Sequence, residues 1–448
     1  MKLKINKQFI AHNSQLSITG SKSETNRLLL LRALYQNITL ENISNSDDSD
    51  VMLKVLEDFE NPKPKIQNPK PNFPLFDIHH AGTAMRFLTA YFAQKEGAEI
   101  VLTGSSRMQE RPIALLVDAL KQLGADIEYV NTIGFPPLKI KGKKITKNKV
   151  SLTANVSSQY ISALLLIAPK LENGLQLTLE GEITSIPYIK MTLALLEEIG
   201  VDTTFENNSI SVGSKSTIQN PHSITIESDW SSASYFYSMV ALSEIGTQIT
   251  LSSYKQNSLQ GDSALVEIYK KFGVDTVFNN DNTITFCKIN FQNPKPKTQN
   301  PSDKFQIPDF KTQNPEPITQ SLEFNLQSSP DIAQTIAVTC FGLGISCHLT
   351  GLHTLKIKET DRLEALKIEL SKLGAAISVT NDTLTLQASS TINPDVEIET
   401  YQDHRMAMAF APLALKTAIT INDAEVVSKS FPTFWDDLKT IGFSISEA

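Results

Sequence analysis

The stretch Leu120-Lys121-Gln122-Leu123-Gly124-Ala125-Asp126-Ile127 reads as a helix that stops at a glycine and turns into a strand. It recurs as Leu196-Glu197-Glu198-Ile199-Gly200-Val201-Asp202 and as Tyr269-Lys270-Lys271-Phe272-Gly273-Val274-Asp275. It returns as Leu370-Ser371-Lys372-Leu373-Gly374-Ala375-Ala376-Ile377 and as Leu438-Lys439-Thr440-Ile441-Gly442-Phe443. A damaged first copy stands at Val55-Leu56-Glu57-Asp58-Phe59. Glycine takes the left-handed conformation at a helix C-terminus most cheaply, so each copy marks a helix end. The alternating residues that follow, such as Asp126-Ile127-Glu128-Tyr129-Val130, predict a half-buried strand. The glycines recur about every 70 residues, except for one interval near 100 that contains a Pro-rich segment. A unit of that length holds two helices and about four strands, and six units need about 420 residues. One core stops growing near roughly 250–300 residues, so two domains of three units are expected.

Two segments fall outside this period. Asn61-Pro62-Lys63-Pro64-Lys65-Ile66-Gln67-Asn68-Pro69 is nearly repeated at Asn293-Pro294-Lys295-Pro296-Lys297-Thr298-Gln299-Asn300-Pro301. Proline at this density forbids helix and central strand, so both read as inserted loops, at 61–74 and 293–317. Composition bounds the rest. The chain has 41% hydrophobic residues, 20% charged residues and a formal net charge of −7, which disfavours nonspecific nucleic-acid binding. No apolar run approaches the roughly 18 residues of a membrane span. Met1-Lys2-Leu3-Lys4-Ile5-Asn6-Lys7 lacks the apolar core of a secretory signal. Cys287, Cys340 and Cys347 show no C-x-x-C spacing, so neither a disulfide framework nor a zinc site is expected, and a reducing cytoplasm is.

Polar clusters sit where helices begin. Gly20-Ser21-Lys22-Ser23-Glu24-Thr25-Asn26-Arg27 precedes four leucines; a helix N-terminus with Lys and Arg is an anion site. It is not a phosphate-binding Walker loop, because Ser21 separates Gly20 from Lys22. His80-Ala81-Gly82-Thr83-Ala84-Met85-Arg86 is a second small-residue helix entry. Arg107-Met108-Gln109-Glu110-Arg111-Pro112-Ile113 puts two guanidinium forks before a Pro-initiated helix. Ser157-Ser158-Gln159-Tyr160 and Asp229-Trp230-Ser231-Ser232-Ala233-Ser234 start helices in successive units, with Ser231 and Ser232 read as caps. Ser328-Ser329-Pro330-Asp331 is a further start with a carboxylate. Lys358-Glu359-Thr360-Asp361-Arg362 and Asp403-His404-Arg405-Met406-Ala407-Met408-Ala409 are the densest clusters. The second opens an almost uncharged apolar helix, which argues against a merely solvated face.

In this order, and closed by Lys429-Ser430-Phe431-Pro432, the motifs resemble the EPSP synthase (3-phosphoshikimate 1-carboxyvinyltransferase) family from end to end. The resemblance implies a two-domain inside-out α/β barrel of six βαβαββ repeats, three per domain, with the active site in the cleft. It implies that the first residues pair with the C-terminal domain, so the chain crosses near Gly20 and near Ser228. The domains are then 1–20 plus 229–448, and 21–228. The implied reaction transfers the enolpyruvyl group of phosphoenolpyruvate to the 5-hydroxyl of shikimate 3-phosphate, in aromatic amino-acid biosynthesis, without cofactor or metal. For shikimate 3-phosphate the resemblance implies Lys22, Ser23, Arg27, Ser157, Ser158, Gln159, Ser185, Tyr188, Asp331 and Lys358. For phosphoenolpyruvate it implies Lys22, Gly82, Arg111, Gln159, Arg362, Arg405 and Lys429. Asp331 is the expected base, Glu359 the partner for proton transfer at C3, with Lys22, His404 and Lys429 nearby. A monomer is expected, with no nucleic-acid or membrane partner.

The sequence departs from the family pattern at His80, where Asn is usual, and at Phe87, where Pro is common. Thr354 and Ile186 replace an Asn and a polar residue. Two other readings compete. One is the sister transferase acting on UDP-N-acetylglucosamine, which uses a loop Cys where this chain has Ser105-Ser106-Arg107-Met108; the other is an inactive scaffold of the same fold.

Overall fold

The computed structural model describes residues 1–6, 13–61, 73–153, 157–181, 183, 186–215, 217–218, 222–290 and 321–448. Both Pro-rich inserts fall almost wholly outside these residues, as does Ser185.

The repeated glycines end helices as expected. Gly124, Gly200, Gly273, Gly374 and Gly442 all have positive φ, from 73° to 107°. The helix Asp47–Glu60, the damaged copy, ends instead at Asn61 with φ −124°. Strands follow the glycines at Asp126–Tyr129, Thr203–Glu206, Val274–Phe278, Ile377–Val379 and Ile445–Glu447.

One sheet pattern recurs. Leu75–Asp77 runs parallel to Glu99–Thr103, which pairs antiparallel with Leu138–Lys141, which pairs antiparallel with Asp126–Tyr129. A helix lies between the first and second strands and another between the second and third, the βαβαββ order. The same order appears in the sheet of Lys149–Thr153, Leu175–Glu180, Ser209–Val212 and Thr203–Glu206. It appears again in Leu322–Asn325, Cys347–Thr350, Leu384–Leu386 and Ile377–Val379.

Two further sheets borrow a strand from the start of the chain. Ser14–Leu16 lies parallel to Gln248–Leu251 as a first strand. Leu3–Ile5 lies between Ile419–Ile421 and Ile445–Glu447, antiparallel to both. The remaining sheet has, among the described residues, the parallel pair His222–Thr225 and Ile38–Glu41.

Strands are wet on one face where they alternate, as Leu175–Glu180 shows with its strict succession of buried and exposed residues. The helices inside are dry all round. In Gly82–Gln94 every residue but Gln94 is buried, and in Trp230–Leu242 every residue but Ser231. Apolar residues on every face of a helix require cover on every side, which here comes from other helices and the sheets outside them. Two hydrophobic cores result. One gathers residues from Leu28 to Ile226; the other gathers Leu3 to Ile18 with Trp230 to Phe443.

The chain passes between the cores at Gly20 and Ser228, which face each other in an antiparallel bridge. Ser21 N–H donates to the Glu227 carbonyl at 2.8 Å, and Asp229 N–H to the Thr19 carbonyl at 3.3 Å. A Cβ at Gly20 would lie 1.9 Å from the Asn42 carbonyl oxygen and 2.7 Å from Ile226 Cγ2 on the second pass, so only glycine fits between them.

Candidate active site

Six buried helices begin around one cleft. Lys22–Leu34, Gly82–Gln94 and Ser158–Ile167 come from one core, and Trp230–Leu242, Ala333–Leu343 and His404–Phe410 from the other. The first N–H groups of a helix have no partner within it, so polar residues collect there, and the positive end of the helix dipole favours anions.

Asp331 and Arg362 are the centre of the cleft. Asp331 Oδ1 accepts from Arg362 Nη1 at 2.9 Å and lies 3.4 Å from Lys358 Nζ. Its Oδ2 accepts from the Tyr188 hydroxyl at 3.3 Å, across from the other core, and lies 3.5 Å from Arg405 Nη2. Arg362 is 1% exposed. Its Nε donates to Asp403 at 2.7 Å and its Nη2 to Glu359 at 2.8 Å. Opposite them, Lys22 Nζ lies 3.6 Å from Asp48 Oδ2. Lys429 Nζ donates to the Gln402 carbonyl at 2.9 Å. Arg111 forms no ion pair among the described residues, and its Nη1 would lie 2.7 Å from a Cβ at Gly82. Gln159 donates to Thr83 Oγ1 at 3.2 Å, tying two helix starts together.

The charges set one another. Burial would raise the Asp331 carboxyl, but Lys358, Arg405 and Arg362 outweigh it and hold the group well below its usual range. For Glu359 burial is likewise outweighed, chiefly by Arg362, with Arg111 and Lys22 adding to it. Burial and then Lys22 push His404 well below an ordinary histidine, so its ring is neutral at pH 7. Neither ring nitrogen of His404 has a hydrogen-bond partner among the described residues. Burial also raises Asp48, against the pull of Lys22. His80 is lowered, by burial and Lys429.

The cleft therefore brings together Lys22, Gly82, Arg111, Gln159, Tyr188, Asp331, Lys358, Glu359, Arg362, His404, Arg405 and Lys429. Ser157 caps its helix by accepting from Gln159 N–H, and Ser158 is buried behind it. Ser23 gives its carbonyl to Arg27 Nη1 at 2.6 Å.

Two expected ligand arginines are largely occupied by protein. Arg27 donates from Nε to Thr192 and from Nη2 to Ser162 and the Tyr188 carbonyl, which leaves one Nη1 proton. Arg362 serves three carboxylates in the same way. Ser185 lies outside the described residues. Arg107 pairs with Glu110 at the surface and takes no part.

Ser231 is not a cap. Asp229 caps that helix, accepting from Ser232 N–H at 2.9 Å. Ser231 instead donates to Asp262 and accepts from Arg405 Nη2 at 3.2 Å. A cap and a cleft residue are indistinguishable in an Asp-x-Ser-Ser run, because the helix phase decides which hydroxyl faces the backbone. Nothing in the sequence singles out Asp262 or Asp48 as cleft residues. Each sits at a helix start, where an acid is unremarkable, and the cation that gives it meaning is remote in sequence.

Comparisons with known proteins identify the family and the fold. The family model for EPSP synthase (3-phosphoshikimate 1-carboxyvinyltransferase) matches residues 10–438. A 3-phosphoshikimate 1-carboxyvinyltransferase of Bacteroides fragilis is 41% identical over 435 residues, covering 96% of this chain and 95% of its own. That of Colwellia psychrerythraea is 35% identical over 448 residues, covering 96% and 97%. The solved EPSP synthase of Acinetobacter baumannii matches with a TM-score of 0.75 at 21% identity, covering 99% of both chains. The enolpyruvyl transferase NikO of Streptomyces tendae matches with a TM-score of 0.68 at 13% identity, covering 100% and 98%. At these identities the two solved structures speak for the fold alone.

Proposed function

The chain belongs to the EPSP synthase (3-phosphoshikimate 1-carboxyvinyltransferase) family, and we propose that the cleft around Asp331 carries that family's reaction in the following way. The enzyme transfers the enolpyruvyl group of phosphoenolpyruvate to the 5-hydroxyl of shikimate 3-phosphate and releases phosphate, a step of aromatic amino-acid biosynthesis. The observation that carries the site assignment is the position of Asp331. It is an ionised acid between Lys358, Arg362 and Arg405 of one core and the Tyr188 hydroxyl of the other.

The 5-hydroxyl oxygen bonds to C2 of phosphoenolpyruvate while C3 takes a proton. The tetrahedral adduct then loses phosphate from C2 and a proton from C3, which restores the double bond. Asp331 accepts the hydroxyl proton. Its surrounding cations make it a weak base in the free enzyme. Substrate phosphates compete for Lys358 and Arg405, and each cation drawn away raises the proton affinity of Asp331. Glu359 exchanges the C3 proton by the same logic, since the anionic phosphoenolpyruvate screens Arg111 and Lys22 from it. His404, neutral and without a hydrogen-bond partner among the described residues, lines this region as a polar contact rather than a charged acid. Arg111 and Lys429, which form no ion pair among the described residues, are the cations readiest to receive the phosphoenolpyruvate anion. Lys22, Gly82, Gln159 and Arg405 complete that subsite. Ser23, Ser157 and Ser158 belong to the shikimate 3-phosphate side, and Arg27 positions Ser23 and Tyr188 through their carbonyls.

Each half of the cleft comes from one of two cores of the same chain, which supports a monomer as the working unit. Three free cysteines support a cytoplasmic setting. No helix among the described residues is long and apolar enough to cross a membrane. The test is phosphate release from phosphoenolpyruvate with shikimate 3-phosphate or UDP-N-acetylglucosamine as acceptor. Turnover with the first alone is expected. Turnover with the second, or with neither, overturns the reading.

A further inference from the structure

Asp262 lies on the short turn Gly261–Ala264 and is 5% exposed. Its Oδ2 accepts the Ser231 hydroxyl proton. Ser231 Oγ in turn accepts from Arg405 Nη2 at 3.2 Å. The same Nη2 lies 3.5 Å from Asp331 Oδ2, and Arg405 Nη1 donates to the Asp331 carbonyl at 3.2 Å. A serine hydroxyl has one proton. With that proton on Asp262, only lone pairs face the guanidinium, so an ionised Asp262 forces Ser231 to act as an acceptor. Without the acid the hydroxyl can turn its proton toward Arg405, and an attractive contact becomes a repulsive one.

We propose that Asp262, acting through Ser231, is a positioning residue that fixes Arg405 for the phosphoenolpyruvate anion. The inference rests on Arg405 being a substrate cation, as read above. The charge state of Asp262 then matters. Burial and the nearby Asp331 raise its pKa to about 6, against the pull of Arg405 and the Ser231 hydrogen bond, while Asp229 raises it further. Tyr188 also faces it and stays neutral, held well above its usual range by burial and Asp331. The chain of contacts should therefore loosen as pH falls through about 6.

Steady-state kinetics of the whole enzyme test this. Asp262→Asn should raise KM for phosphoenolpyruvate about tenfold, the worth of one charge-assisted hydrogen bond. Its kcat should change far less, and KM for shikimate 3-phosphate should not move. In the parent enzyme KM for phosphoenolpyruvate should rise as pH falls through about 6; in Asp262→Asn that rise should shrink to the part due to protonation of the substrate phosphate, whose own pKa is about 6. Ser231→Ala should reproduce the effect, Ser231→Thr should retain parental KM, and the double variant should be no worse than the worse single. If Asp262→Asn does not fold, as judged by thermal melting, Ser231→Ala carries the same expectations. Unchanged KM, an acidic rise as steep as the parent's, or additive effects of the two substitutions overturn the inference. Arg405→Lys separates the two levels. If it impairs KM while Asp262→Asn does not, this inference fails alone. If the parent enzyme does not turn over, or Arg405→Lys has no effect, the reading of the site fails and this inference with it.

Discussion

Asp331 shows how a buried acid acquires its properties from its neighbours. Desolvation disfavours its charge, yet three cations within 3.5 Å reverse that outcome. Asp331→Asn keeps the volume and a hydrogen-bonding oxygen but removes the proton acceptor. Turnover should fall by about 10²–10⁴-fold, the usual worth of a general base. Binding of shikimate 3-phosphate, followed by calorimetry, should persist. Near-parental turnover would move the base role to Glu359. Gly82 makes a second case. A Cβ there would lie 2.7 Å from Arg111 Nη1 and 3.0 Å from Arg86 Nη1. The Arg111 tip is the flexible one, so Gly82→Ala should displace it and raise KM for phosphoenolpyruvate about tenfold. The melting temperature should change little. A large loss of stability with unchanged KM would mean that the glycine serves packing and not the cleft.

At the scale of elements, the helix Lys22–Leu34 does two jobs. Its first residue faces the cleft, and the residue two further on, Glu24, is buried beside the crossover. Burial raises the Glu24 carboxyl to about 7, Glu227 adds to this, and Lys255 opposes it. The folded state thus holds a proton that the unfolded state has already released above its ordinary pKa of 4.5. Stability from this group is fully present below that value and is lost as pH rises through about 7. Glu24→Gln removes the dependence. Its unfolding free energy, from denaturant melts, should pull ahead of the parent as pH rises from about 5 to 8, by on the order of 2–3 kcal/mol at the upper end. A difference that does not change with pH would show that Glu24 is ionised in the fold. The crossover around it is well satisfied, since Glu227 accepts from Trp230, Lys255 and Ser258.

At the scale of the whole molecule, few polar contacts among the described residues join the two cores. Tyr188 reaches Asp331 at 3.3 Å, and Ser428 donates to Asp47 at 2.7 Å. Lys22 and Arg111 belong to one side, and Lys358, Arg405 and Lys429 to the other. Without anions between them these cations repel, and anionic substrates bridge them. Ligand should therefore shift an equilibrium toward the closed arrangement. Small-angle scattering should show a smaller radius of gyration on adding shikimate 3-phosphate with an unreactive phosphoenolpyruvate analogue. An unchanged radius, with binding confirmed separately, would mean that the free enzyme is already closed.

Much of this was legible along the chain. A glycine at a helix end and the alternation of the next strand are decided by neighbours within a turn or two. The period, the six-unit architecture and the ordered motifs of the family could therefore be read directly. The first strands' return to the far sheets came only from the resemblance, since Leu3 meets Ile421 across almost the whole chain. The partners of the cleft charges were not legible at all. Asp262 and Arg405, or Lys22 and Asp48, gain their meaning from distance and burial, which belong to the packed chain and not to any local window. Nor could the sequence tell that Arg27 and Arg362 are largely taken up by protein acceptors. A guanidinium in a motif reads the same whether its protons face a substrate or a carboxylate, and only the tertiary arrangement of acceptors around it decides which.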